Sequence, residues 1–81
     1  MTEQTMKATL RTIISDVTEI NDYENDEKFN ERLGVDSMMI IEIAVRIEKA
    51  FNITVPEHYL PRLTNLDETH LAINELVYQL K

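Results

Sequence analysis

Apolar side chains recur at helical spacing in three stretches of this 81-residue chain, and no stretch shows convincing strand alternation. Met6, Leu10, Ile13, Ile14 and Val17 fall three and four apart, which predicts a helix from about residue 3 to 18 with one apolar face. Thr2, followed by Gln4 and Thr5, offers an imperfect cap for it. Residues 19 to 35 lose the pattern. Asn21, Asp22, Asn25, Asp26 and Asn30 are turn formers, and Phe29 and Leu33 are the apolar exceptions expected to tie a long loop to the core. A loop of that length in a small domain points either to function or to a long reach between elements.

A second helix is predicted from Asp36 to Phe51. It is apolar around most of its circumference, the mark of a central, buried element. Glu42, Arg46 and Lys49 gather in one narrow arc with Met39 at its edge, and this stripe is expected to face solvent; Glu48 lies apart. Pro56 suits the first turn of a short helix, Glu57 to Leu60, which Pro61 should limit to about one turn. A last helix is expected to start near Asn65, which has capping-box spacing to Glu68. Leu66, Thr69, Ile73, Leu76, Val77 and Leu80 form its inner stripe. The pattern predicts an all-α fold of three long helices and one short helix, with a long first loop.

The length fits one domain, residues 1-81, with a small core and no room for a deep catalytic cleft beside it. Without cysteine there is no disulfide staple and no thiol nucleophile. Fifteen acidic residues against eight basic ones give a net charge of -7, a surface that repels nucleic acid and anionic lipid and attracts proteins with basic patches. The same acidity also serves plain solubility. No apolar run is long enough to span a membrane, and the N-terminus lacks the pattern of a signal or transit peptide, so a cytoplasmic protein is expected.

Chemistry concentrates at Leu33-Gly34-Val35-Asp36-Ser37-Met38. Gly34 is the only glycine and allows a turn that most residues avoid; Ser37 is one of two serines. Ser37 would sit in the first turn of the second helix, before unpaired N–H groups and the positive end of the helix dipole, a place suited to a phosphate. Taken alone, Asp36-Ser37 also reads as an ordinary cap. Other polar candidates are thin. His58 and His70 have no cysteine partners and no metal-ligand spacing, and they read as surface or cap residues. Asp22, Glu24 and Asp26 alternate like calcium ligands but lack the glycine and the distal glutamate of an EF-hand loop, leaving at most weak divalent association. Ser37 with His58 makes no catalytic triad, because no strand-turn-helix elbow frames the serine. Ser15 has no cap context and reads as structural.

The pattern Phe29-x-x-x-Leu33-Gly34-x-Asp36-Ser37, then Ile41-Glu42-Ile43, Ile47-Glu48 and Phe51, then Ile53-x-Val55-Pro56-Glu57 and the terminal helix, resembles the acyl carrier proteins. The resemblance implies a bundle that carries thioester intermediates on a 4'-phosphopantetheine arm donated by coenzyme A. It implies attachment at Ser37, a hydroxyl that can form the phosphodiester. Asp36 would then cap the helix and be read by the phosphopantetheinyl transferase, with Gly34 shaping the turn. Acyltransferases, synthases and other acyl-processing enzymes would be the partners, and the carrier itself would be no enzyme. Acyl chains would tuck between the helices, with Ile41, Ile43, Ile47 and Leu60 as contacts. A monomeric, free-standing carrier is expected, with no metal, no nucleic acid and no stable membrane insertion.

Two features depart from fatty-acid carriers of that family. Met39 and Lys49 stand where acidic residues are frequent, and Arg46 adds a second positive charge, so the presumed docking stripe is mixed in sign. Docking is therefore expected to rest on Met39 and Ile40, beside Met38, Glu42, Arg46 and Lys49, more than on blanket charge attraction; a simple Glu42–Arg46 helix pair is the alternative. Met38 replaces the family's frequent leucine at similar volume. The readings that stay open are fatty-acid or polyketide-type synthesis, a specialised carrier for lipid modification, secondary metabolism or amino-acyl transfer, and an unmodified helical interaction module.

Overall fold

Helix α1 spans Glu3–Thr18, as its periodicity predicts, in a computed structural model that describes residues 3–79. The Thr2 cap and the Leu80 end of the last stripe lie outside the described residues. Met6, Leu10, Ile13 and Ile14 are buried, and Val17 packs at the edge of the core. The helix ends at Glu19, whose left-handed φ of 60° lets its N–H return to the Ser15 carbonyl at 2.7 Å.

The long first loop is more structured than its composition suggests. It contains one helical turn, α2 (Phe29–Arg32), which the sequence pattern does not announce. Phe29 and Leu33 are buried as expected, and Tyr23 and Val35 join them. Arg11 of α1 holds the loop from outside the core. Its guanidinium donates to the Asn25 side chain and, at 3.3 Å, to the Tyr23 carbonyl, and it lies 4.7 Å from the Tyr23 ring centre. The Tyr23 hydroxyl donates back to the Arg11 carbonyl at 3.3 Å. Arg32 reaches the Asp22 carbonyl at 2.8 Å, and the Phe29 N–H reaches the Thr64 carbonyl at 2.8 Å. Each partner lies ten or more residues away, so local propensity carries no trace of these ties.

Helix α3 (Ser37–Phe51) follows. Its composition predicts a central helix buried except along one polar stripe, but its buried face is narrower than that. Ile43, Ala44 and Ile47 face the core, whereas Met38, Ile41 and Val45 are exposed. A domain this small can cover only one side of a central helix. Asn52 closes α3 in the left-handed conformation (φ 54°, ψ 51°). The Glu48 carboxylate, apart from the solvent arc, accepts the Val55 N–H at 2.8 Å and fixes the exit of the chain.

The short helix that follows is a 3-10 helix, η1 (Glu57–Arg62), with Pro56 as its N-cap rather than in its first turn. It runs past Pro61 instead of stopping there. The fixed φ of proline lies within the 3-10 range, and the missing N–H costs one bond in a segment too short to depend on a ladder. Helix α4 (Leu66–Gln79) begins where Asn65 accepts the Glu68 N–H at 2.6 Å, the cap expected from their spacing. Leu66, Thr69, Ile73 and Leu76 are buried as predicted and Ala72 joins them; Val77 is partly buried. The Thr69 hydroxyl is satisfied by the Asn65 carbonyl at 2.7 Å. His70 is not a surface residue: it is half-buried, with Nε2 enclosed.

The result is an all-helical bundle of three long helices and two short ones among the described residues. Helix α1 packs on α3 and α4, and η1 bridges α3 and α4. Among the described residues no helix is long and apolar enough to cross a membrane. Gly34 sits between α2 and α3 at φ +64°, and a Cβ there would meet nothing within 4 Å. Gly34→Ala is therefore expected to destabilise through backbone conformation alone, by about 1–2 kcal/mol, read as a lower urea midpoint with an unchanged slope.

Candidate functional site

Burial alternates along the segment that leads into α3. Leu33 and Val35 are buried, and Gly34, Asp36 and Ser37 are exposed. The Leu33 and Val35 N–H groups both donate to the Phe29 carbonyl, at 3.1 and 3.0 Å. Two apolar plugs and one shared acceptor thus hold the turn that Gly34 makes possible. Asp36 is the N-cap: its Oδ1 accepts the Met39 N–H at 2.9 Å, and its carbonyl accepts the first helical bond from Ile40 at 3.0 Å. Ser37, the first residue of α3, is left outward at the positive end of the helix.

Ser37 borders an open, mostly apolar groove of about 330 Å3, with Ile40 and Ile41 on the α3 side and Leu60 and Pro61 on the η1 side. A second cavity of about 430 Å3 shares Ile40, Leu60 and Pro61 and runs on to Phe29 and Thr64, away from the serine. The four sequence-predicted chain contacts therefore divide. Ile41 and Leu60 line the groove, and Ile43 and Ile47 are wholly buried in the core behind it. Pro61, equally placed on the wall, was not singled out from the sequence.

The outward face of α3 also differs from the expected stripe. Glu42, Arg46 and Lys49 are exposed, and Glu42 and Arg46 pair at 3.1 Å. Met39 and Ile40 are partly buried against the core and project less than their neighbour Met38. Met38 is 79 % exposed, followed on the same face by Ile41 at 52 % and Val45 at 41 %. Spacings of three and four place these three side chains in a row beside the ion pair.

Beside the η1 wall lies a group that sequence reasoning missed. Arg62 donates to Glu75 of α4 through two nitrogens, at 3.0 and 2.6 Å, and its guanidinium carbon lies 5.0 Å from the Tyr59 ring centre. The Tyr59 hydroxyl lies 3.4 Å from Glu75 Oε1. The paired hydrogen bonds from Arg62 hold the Glu75 carboxyl below its ordinary range, and Glu75 in turn raises Arg62. No sequence pattern links residues thirteen apart on different helices. Among the described residues no group of His, Cys, Asp or Glu side chains could hold a metal ion.

Residues 8–69 match the family model described as "Phosphopantetheine attachment site". Among curated proteins the chain is similar to polyketide-8 synthase acyl carrier protein 2 of Streptomyces avermitilis, at 38% identity over 66 residues, 79% of this chain and 76% of the relative. It is similar to an acyl carrier protein of Guillardia theta at 33% identity over 79 residues, 95% of this chain and 98% of the relative. Among solved structures it shares its fold with a chain in the structure of the ishigamide ketosynthase/chain length factor (TM-score 0.76, 22% identity, 88% of this chain and 92% of that one).

Two outcomes test the site's local physics. Asp36→Ala should lower stability by about 0.5–2 kcal/mol through loss of the cap, whereas Asp36→Asn, which keeps an acceptor, should cost less; urea unfolding reads both. A depressed carboxyl stabilises the fold above its unfolded-state pKa, and that contribution is lost as pH falls through the lower, folded value. In a carboxyl-carbon NMR titration, Glu75 should therefore titrate at lower pH in the unaltered protein than in Arg62→Gln.

Proposed function

This chain belongs to the acyl carrier protein family, and from that premise we propose that Ser37 is the residue that bears the 4'-phosphopantetheine arm. The protein is a carrier and not a catalyst; acyl chains are held as thioesters on phosphopantetheine. The arm supplies the thiol that a cysteine-free chain lacks. The observation that carries the assignment is the exposure of a capped, first-turn serine on the rim of an apolar groove. In loading, the Ser37 hydroxyl oxygen forms the new bond to phosphorus, its proton passes to a base of the transferase, and 3',5'-ADP leaves from coenzyme A. Asp36 keeps the serine on a rigid helix start by holding the Met39 N–H. Gly34 supplies the turn that sets the serine outward.

On this reading the partners are synthases and acyl-processing enzymes of fatty-acid or polyketide type, working in the cytoplasm. The name of the relative at 38% identity supports the polyketide type. Docking falls to Met38, Ile41 and Val45. Although the whole chain carries a charge of -7, the exposed ionic groups of this face are Glu42, Arg46 and Lys49, one carboxylate against two cations. Attraction to a basic partner is therefore weak here, and contact with an apolar partner surface carries more of the association.

Incubation with coenzyme A and a phosphopantetheinyl transferase should add the mass of one phosphopantetheine to the protein and none to Ser37→Ala. An equal gain on Ser37→Ala, or no gain on either, defeats the assignment. Met38→Gln and Ile41→Gln should leave stability within about 0.5 kcal/mol, because both side chains are exposed. They should nevertheless raise KM for the carrier in acyl transfer with kcat little changed, and more than Glu42→Gln does.

A further inference from the structure

Helix η1 supplies Leu60 and Pro61, the side of the Ser37 groove that faces α3. Alone it is a weak element. Six residues exceed the usual length of a 3-10 run, its hydrogen bonds are poor in kind, and Pro61 removes a donor within it. Its position therefore depends on what it is tied to. Tyr59 and Leu63 anchor it to the core on either side of the groove-facing pair. Leu60 itself packs only partly against the core, and Arg62 adds a polar tie to α4.

Of the five ion pairs among the described residues, only Arg62–Glu75 joins η1 to a long helix. It is bidentate, at 3.0 and 2.6 Å, the geometry that makes a guanidinium–carboxylate pair directional as well as strong. The Tyr59 ring beneath the guanidinium and the Tyr59 hydroxyl near Glu75 lock the same three side chains together. The pair is also partly exposed, 37 % and 40 %, so water competes for it and it can be released. A fully buried pair would be a fixed strut.

We propose that the Arg62–Glu75 pair, seated on Tyr59, is a clamp that sets the position of the Leu60–Pro61 wall and thereby the protection the groove gives to an acyl chain attached at Ser37. Arg62 and Glu75 are positioning residues: neither lines the apolar groove itself, and both act through η1. The proposal rests on Ser37 as the attachment residue. With the clamp closed, the wall stays against Ile40 and Ile41 and the chain is shielded from water. With it open, η1 moves on its Tyr59 and Leu63 anchors and the chain is exposed.

The structure contains its own control. Lys7 and Asp67 pair at 2.6 Å with similar exposure, 33 % and 46 %, but they join α1 to α4, away from the groove. The full chain is loaded from a coenzyme A derivative whose acyl chain ends in an environment-sensitive fluorophore, and loading is confirmed by intact mass. In the unaltered protein the emission should be blue-shifted relative to the free coenzyme A derivative and resistant to iodide quenching. Arg62→Gln and Glu75→Gln should shift emission to the red and raise quenching; Lys7→Gln should lower the Tm without either change. The double exchange Arg62→Glu with Glu75→Arg should recover part of the blue shift. Hydrogen exchange at the Tyr59 and Leu63 amides of the unloaded protein should quicken in Arg62→Gln and not in Lys7→Gln. Equal effects of Arg62→Gln and Lys7→Gln, or no effect of either on a shielded fluorophore, overturn the clamp. A fluorophore unshielded in the unaltered protein overturns occupation of the groove. Failure of the unaltered chain to load overturns the Ser37 reading and the clamp with it.

Discussion

The whole arrangement depends on holding one polar residue outward at the start of a helix whose other side must be buried. The Phe29 carbonyl accepts both the Leu33 and Val35 N–H groups, and the side chains of Leu33 and Val35 enter the core. Between them Gly34 takes a left-handed turn. That turn lies between the buried Leu33 and Val35 and leads the chain into α3. Asp36 then satisfies the Met39 N–H, and Ser37 stands at the end of a helix that cannot fray easily. On the proposed reading of Ser37 as the attachment residue, this rigidity would keep the arm's root in one place while its far end moves.

The helices divide the work of supporting that point. Helix α1 backs both α3 and α4 and gives the bundle its common core. Helix α2, a single turn, brings Phe29 beneath the Gly34 turn and ties the loop to the segment after η1 through the Thr64 carbonyl. Helix η1 is the least self-sufficient element and the one that faces the groove across from α3. The same smallness that leaves half of α3 uncovered also leaves the groove open. Exposed apolar groups on α3 are therefore a consequence of size.

Charge acts at two scales in this protein. Globally the chain is strongly acidic, with a net charge of -7 that shapes the long-range field. Locally, the face beside Ser37 carries a neutralised Glu42–Arg46 pair and Lys49, next to Met38, Ile41 and Val45. Glu48 accepts the Val55 N–H and helps to fix the exit of the helix.

Periodicity by itself determined α1, α3, α4 and the buried stripe of α4, because each rests on spacings within one helix. The Gly34 turn, the Asp36 cap and the Asn65–Glu68 cap were legible for the same reason: their partners lie within a few residues. The resemblance of the Gly34-to-Ser37 segment and its downstream residues to a carrier family identified the serine to examine. Tertiary structure alone decided which apolar residues of α3 project, since Met38 and Met39 are adjacent in sequence and differ only in what packs over them. It decided that Ile41 and Leu60 line a groove while Ile43 and Ile47 fill the core. It also formed α2 and joined Arg62 to Glu75. Those features depend on contacts between segments ten or more residues apart, and the free energy that fixes them comes from packing and pairing that no local pattern encodes.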